Sequence, residues 1–144
     1  MRVDFYQLSR DPVEGVVPLL AQNTLRAGER MLVVSADDAQ LARVSEALWH
    51  RPDSFLAHGL AGAPEQDRQP ILLSDQPSPA NGASYIALAD GLWRDEALTF
   101  ERAFLLFDEA TLEAARATWR MLDDRDGVER NFWRQEGGKW VQAA

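Results

Sequence analysis

The sequence predicts an α/β domain built on a mostly parallel sheet, and three observations lead there. Its first half alternates strand, helix, strand and helix signals, the pattern of right-handed crossovers in a parallel core. One segment, RMLVVS (residues 30–35), is a short continuous apolar run, as expected of a strand buried on both faces. The 144 residues hold no internal repeat and no linker long enough to separate domains, and a chain of that length can bury one sizeable core.

The elements follow in order. VDFYQL (residues 3–8) alternates apolar and polar side chains and contains Val, Phe and Tyr, so it reads as the first strand. SRDPVEGVVP connects it to a helix predicted to carry Pro18 in its first turn, where a missing N–H costs little, and to stop at Gly28. After RMLVVS, Asp37 or Asp38 is placed to cap a second helix, DAQLARVSEALW, whose Leu41, Val44, Ala47 and Leu48 recur at helical spacing. QPILLS is a further strand, and the Pro- and Gly-punctuated QPSPANGAS is a loop. SYIALA and ERAFLLFD are two more strands, while GLWRDEALT between them reads either as a turn or as a short helical piece. DEATLEAARATWRMLDDRDG carries the clearest helix signal, with Asp108 to cap it, acids in its first turn and Gly127 to end it. The acids crowding its C-terminal end oppose the helix dipole, and the sequence offers no reason for them. In the tail VERNFWRQEGGKWVQAA, two Trp residues lie around Gly137-Gly138, the pattern of a hairpin folded back on the sheet.

Charge and composition narrow the function. The formal net charge is −8, whereas a duplex binder brings a basic stripe to the phosphates. A protein or small-molecule partner is therefore expected, and direct DNA binding is not. The absence of cysteine excludes disulfides, thiolate chemistry and cysteine zinc sites. No stretch has the features of a secretory leader or the length of a membrane span, so the expectation is a soluble cytoplasmic protein.

The sequence carries none of the common catalytic patterns. The loop after the first strand, LSRDPVEG, has one glycine and matches neither the dinucleotide nor the phosphate-loop pattern. Asp37-Asp38 stands where a nucleotide enzyme places a ribose-binding carboxylate, but reads more simply as a helix cap. In DDRDG, placing Gly127 at the glycine position of a calcium loop puts Leu122 and Trp133 at ligand positions, so the register fails. His50 and His58 match no zinc spacing, and no Gly-x-Ser-x-Gly elbow supplies a nucleophile. No catalytic residue, metal ligand or cofactor is predicted. A nucleotide-dependent enzyme using the crevice at the strand ends is the rival reading, and an unrelated interaction domain a second.

Two surfaces remain. In WHRPDSFLAHGLAG (residues 49–62), Trp49 ends the second helix, Pro52 stiffens the following turn and Phe55 comes next. Together they read either as a preorganised apolar anchor for a partner or as two rings plugging the core edge. On the long helix, Arg116 and Arg120 share a face with Trp119 beside them. Two guanidinium groups flanking an indole suit an acidic peptide that ends in an aromatic residue and a free carboxylate. The same helix carries an apolar stripe of Leu112, Ala115, Trp119 and Leu122, on which Trp119 would be core, and Glu113 is placed to pair with Arg116.

Taken together, VDFYQL, LRAGERMLVVSADDAQLARVSEALW, WHRPDSFLAHGLAG, the ARATWR helix and the C-terminal aromatic segment resemble the chi subunit family of bacterial DNA polymerase III holoenzyme, over nearly the whole chain. The resemblance implies a single three-layer α/β domain over residues 1–144, related to nucleotide-binding folds but not an enzyme in its own right. It implies an accessory role that links the clamp-loader assembly to single-stranded DNA-binding protein (SSB) by gripping the acidic SSB tail, which ends in Pro-Phe. A second face would hold the psi subunit, or in some bacteria a helicase-like repair protein. By the resemblance, Arg116, Trp119 and Arg120 fall on the tail-binding helix, and Trp49, Pro52 and Phe55 on the psi side. Leu112 stands where the family often has a basic residue, which implies a less positive tail pocket. One residue is missing between the Pro and the Phe of the signature.

Overall fold

Alternating side chains on the central strands are apolar on both sides, so the sheet needs cover on both faces. The computed structural model describes residues 1–52 and 54–144. Its strands are β1 (Arg2–Gln7), β2 (Met31–Val34), β3 (His58–Leu60), β4 (Ile71–Ser74), β5 (Tyr85–Leu88), β6 (Arg102–Phe107), β7 (Glu129–Glu136) and β8 (Lys139–Gln142). They form one sheet in the order β3-β4-β2-β5-β6-β1-β7-β8. All neighbours run parallel except the β7–β8 pair.

The helices are α1 (Val13–Arg26), α2 (Asp38–Trp49) and α3 (Leu112–Leu122). Met31, Val33, Ile71, Leu73 and Leu106 point to one face, where they pack against Val17 of α1 and Val44 and Leu48 of α2. Leu32, Val34, Ile86, Leu88 and Leu105 point to the other, where Ala115 and Leu122 of α3 complete a second core. The result is the three-layer α/β domain expected. Each fully buried aliphatic side chain contributes about 1.5–3 kcal/mol, which is why β2 and β4, wholly buried, need no polar residue until Ser74.

Several boundaries depart from the sequence expectation. The helix α1 begins at Val13, so Pro18 lies inside it and not in its first turn. Val16 and Val17 are both buried, and the earlier start is what carries them into the core; the lost Pro18 N–H bond is the local cost. GLWRDEALT resolves into a 3₁₀ turn at Asp95–Thr99. Asp108 caps first a 3₁₀ turn, Glu109–Thr111, in a reciprocal capping box with Thr111, and α3 follows. α3 stops at Leu122 and not at Gly127. The acids beyond it have a partner that is distant in sequence. Arg130 donates to the Trp119 carbonyl at 2.5 Å and to the Asp123 carboxylate at 2.6 Å, bringing a cation to the negative end of the helix.

The tail forms the hairpin anticipated, turning through Gly137 and Gly138, both in left-handed backbone, as a two-residue type I′ turn requires. It does not fold back on the sheet, however. β7 pairs in parallel with β1, so the hairpin extends the sheet by two strands. The strand β3 was not anticipated at all: three residues in a stretch that reads as loop form the opposite edge of the sheet.

Candidate functional site

Two side-chain clusters stand out, one near each end of the sheet. The first is built by α3 and β7. Arg130, Phe132 and Arg134 alternate along β7, so all three face α3. Phe132 and Trp119 form an apolar wall, and Arg116, Arg120 and Arg134 surround it in an open pocket of about 240 Å³ that Gln7, Ala143 and Ala144 also line. Trp119 is half-buried. Its ring meets Phe5 edge-on at 5.1 Å and Phe132 at 5.7 Å. The Arg130 guanidinium lies 4.1 Å from its centroid. Trp119 is therefore both core wall and pocket wall.

The three pocket arginines are not equivalent. Arg116 donates to Glu113 at 2.9 Å across one turn, as its spacing anticipates. Arg134 has only a loose 3.8 Å contact with Glu136. Among the described residues, no carboxylate lies within ion-pair distance of Arg120. Leu112, the first residue of α3, packs against the core and adds no charge, but the fold brings a third guanidinium from β7. Sequence reasoning missed Arg134 and Phe132. Their two-residue spacing in ERNFWRQE marks a shared strand face, yet nothing in the sequence says which face meets α3.

The second cluster ends α2 and continues into β3. Trp49 is 51% exposed, Phe55 79% and Leu60 55%, so the two rings are not core plugs. The Trp49 and Phe55 centroids lie 6.0 Å apart, and Pro52 between them is exposed. His58 supports Trp49 from below, with ring centroids 4.3 Å apart. Its Nδ1 donates to the Leu56 carbonyl at 2.8 Å, and its Nε2 hydrogen-bonds the Ser45 hydroxyl at 2.7 Å. His50 is exposed and turns its Nδ1 to the Glu46 carbonyl. The two histidines thus serve separate local contacts.

The loop after β1, where a related nucleotide-binding fold would cradle phosphate, is occupied by the chain itself. The buried Gln135 side chain accepts from the backbone N–H groups of Ser9, Arg10 and Asp11 at 3.2–3.4 Å and donates to the Asp11 carboxylate at 2.6 Å. Those amides are the donors a phosphate would need. Asp37 caps α2 by accepting the Ala39 N–H at 3.0 Å, the plain reading of the Asp37-Asp38 pair. Near the ends of β2 and β5, Asp90 binds Arg94 through both oxygens and accepts the Ala36 N–H. Burial pushes the Asp90 carboxyl up. The Arg94 hydrogen bonds and the Ala36 and Leu92 N–H groups outweigh burial and hold it below the usual carboxylate range.

Fold and geometry define an α/β domain whose loop after β1 is closed on the Gln135 side chain, with accessible basic and aromatic clusters near its two ends. Comparison with known proteins gives the family. The chain belongs to the DNA polymerase III chi subunit family: the family model described as DNA polymerase III chi subunit, HolC, matches residues 1–129. It is similar to the DNA polymerase III subunit chi of Escherichia coli (strain K12), 37% identical over 75 residues that cover 46% of this chain and 51% of that protein. It is also similar to the subunit of the same name from Haemophilus influenzae (strain ATCC 51907 / DSM 11121 / KW20 / Rd), 34% identical over 74 residues, 49% of this chain and 51% of that one. The alignments span about half the length of these curated relatives. No described helix is long and apolar enough to cross a membrane.

Proposed function

We propose that this chain is a non-catalytic accessory subunit of the clamp-loader assembly that holds the acidic C-terminal tail of SSB in the pocket between α3 and β7. The observation that carries the reading is the convergence of Arg116, Arg120 and Arg134 on the Trp119–Phe132 wall. A terminal phenylalanine fits against the wall, and its carboxylate and the upstream acids meet the guanidinium groups. Trp49, Pro52 and Phe55 hold a second partner, a psi subunit or an equivalent clamp-loader-side protein, or a helicase-like repair protein. Six strand spacings separate β3 from β7, roughly 29 Å, so both partners can be bound at once. The chain works in the cytoplasm, where the replisome is. The Gln135 plug favours this reading over a nucleotide-dependent enzyme.

The test is a titration with synthetic acidic peptides ending in Pro-Phe and the same peptides lacking the final Phe. The full peptide binds, and binding weakens with salt because the tail is acidic and the site exposed. Equal affinity for the two peptides overturns the assignment.

A further inference from the structure

Between α2 and the β3–β4 edge of the sheet lies an open groove of about 560 Å³. Leu41, Ala42 and Leu60 contribute its apolar lining, and Asp38, Glu46 and Asp75 its charged groups. Every charged side chain lining the groove is acidic. Among the described residues neither Asp38 nor Asp75 has an arginine or lysine within ion-pair distance, and Glu46 meets only His50, at 3.6 Å. The groove adjoins the Trp49 cluster: Ser45, which lines it, lies 2.7 Å from His58 Nε2, and the His58 and Trp49 ring centroids are 4.3 Å apart.

We infer that this groove receives a cationic amphipathic helix from the partner held at Trp49, its apolar stripe on Leu41, Ala42 and Leu60 and its Lys or Arg residues against Asp38, Glu46 and Asp75. The inference rests on the reading of Trp49 and Phe55 as a partner surface, and adds what that partner must present. Charge complementarity selects the cationic partner: three carboxylates around an apolar floor, none of them met by an arginine or lysine among the described residues, repel an acidic segment and attract a basic one. The stripe Asp38, Ala42, Glu46 and Trp49 follows one face of α2 over about 16 Å, three turns of a docked helix. Its middle carries the small Ala42 and Ser45, which let a second backbone approach. A strand added to β3 is less well served. That edge is three residues long, and the Leu60 carbonyl already accepts the Ala63 N–H.

The experiment uses the clamp-loader assembly isolated from a strain lacking this subunit, titrated with the full chain. The triple variant Asp38→Asn, Glu46→Gln, Asp75→Asn should bind about tenfold or more weakly at low salt and show a flatter salt dependence. Trp49→Ala should weaken binding and keep the slope. If the triple variant binds as the wild type does, with the same slope, while Trp49→Ala fails to bind, the acidic groove is overturned and the Trp49 surface stands. If Trp49→Ala binds unchanged, the partner surface itself is wrong and this inference falls with it. Hydrogen exchange on the complex should protect a Lys- or Arg-rich helical segment of the partner. Protection of an acidic segment, or new protection of the His58 and Leu60 amides that marks an added strand, overturns the helical mode.

Discussion

Arg120 is the pocket guanidinium with the least structural work to do, so Arg120→Glu isolates the electrostatics of the proposed peptide site. The side chain is exposed and forms no ion pair among the described residues. A unit charge pair about 4 Å apart in water is worth about 1 kcal/mol. Reversing the charge removes one such attraction and adds a comparable repulsion, about 2 kcal/mol together, or about 30-fold in Kd. The fold loses much less. An exposed substitution typically shifts stability by about 0.5 kcal/mol, and an acid in the last turn of α3 adds up to about 1 kcal/mol against the dipole. At about 0.3 kcal/mol per degree for a chain of this length, Tm should fall by no more than about 5 °C. Fluorescence anisotropy of a labelled acidic peptide ending in Pro-Phe reads the binding. The gap between wild type and variant should shrink from about 0.1 M to about 1 M salt, as the screening length contracts from about 10 Å to about 3 Å. An unchanged Kd at the lower salt, with Tm preserved, refutes the reasoning. Arg116→Ala should cost less, because Glu113 already engages that side chain.

Trp49→Ala should destabilise by only about 1–2 kcal/mol, since half the ring is already in water, and should weaken clamp-loader-side binding without touching binding of the acidic Pro-Phe peptide; joint loss of both activities with a collapse of Tm shows that Trp49 is core. Asp4 is fully buried and receives Arg2 Nε at 3.2 Å, Arg102 Nε at 2.8 Å and Trp133 Nε1 at 3.1 Å. Asp4→Asn should therefore cost about 2 kcal/mol, below the value for a wholly buried pair because both arginines reach solvent, and an unchanged urea midpoint counts against it. Asp90 has a folded-state pKa below its unfolded one, so its contribution is complete above about pH 4 and fades as pH falls through the folded value. Asp90→Asn should be less stable than wild type at neutral pH, and the two melting curves should converge below about pH 4; a constant gap across that range shows that ionisation is not what the site uses.

Much of this was legible because local pattern and burial agree. DAQLARVSEALW matches the span of α2, with Asp37 at its cap, because Leu41, Val44 and Leu48 lie at helical spacing and all three are buried. RMLVVS reads as a doubly covered strand, and β2 is one. Where the two conflict, burial wins. Pro18 suggests a helix start, yet the pull of Val16 and Val17 into the core sets it five residues earlier. β3 has no pattern of its own, since its three residues have one edge and one face toward solvent and are held by pairing with β4.

The sequence alone establishes that Arg116, Trp119 and Arg120 share one side of a helix and that Trp49, Pro52 and Phe55 follow one another at a helix end. Only the tertiary structure decided which of them meet water and what joins them. Parallel pairing of β7 with β1 carries Phe132 and Arg134 under α3, and Arg130 onto the Trp119 ring, although all three are remote from that face in helical register. The folded sheet also leaves Trp49 and Phe55 at an edge with no layer above them. The physical reason is the range of the interactions. Helical and strand periodicity act over a few residues, whereas strand order and face are set by a core assembled from the whole chain, and a docking surface is what that core leaves uncovered.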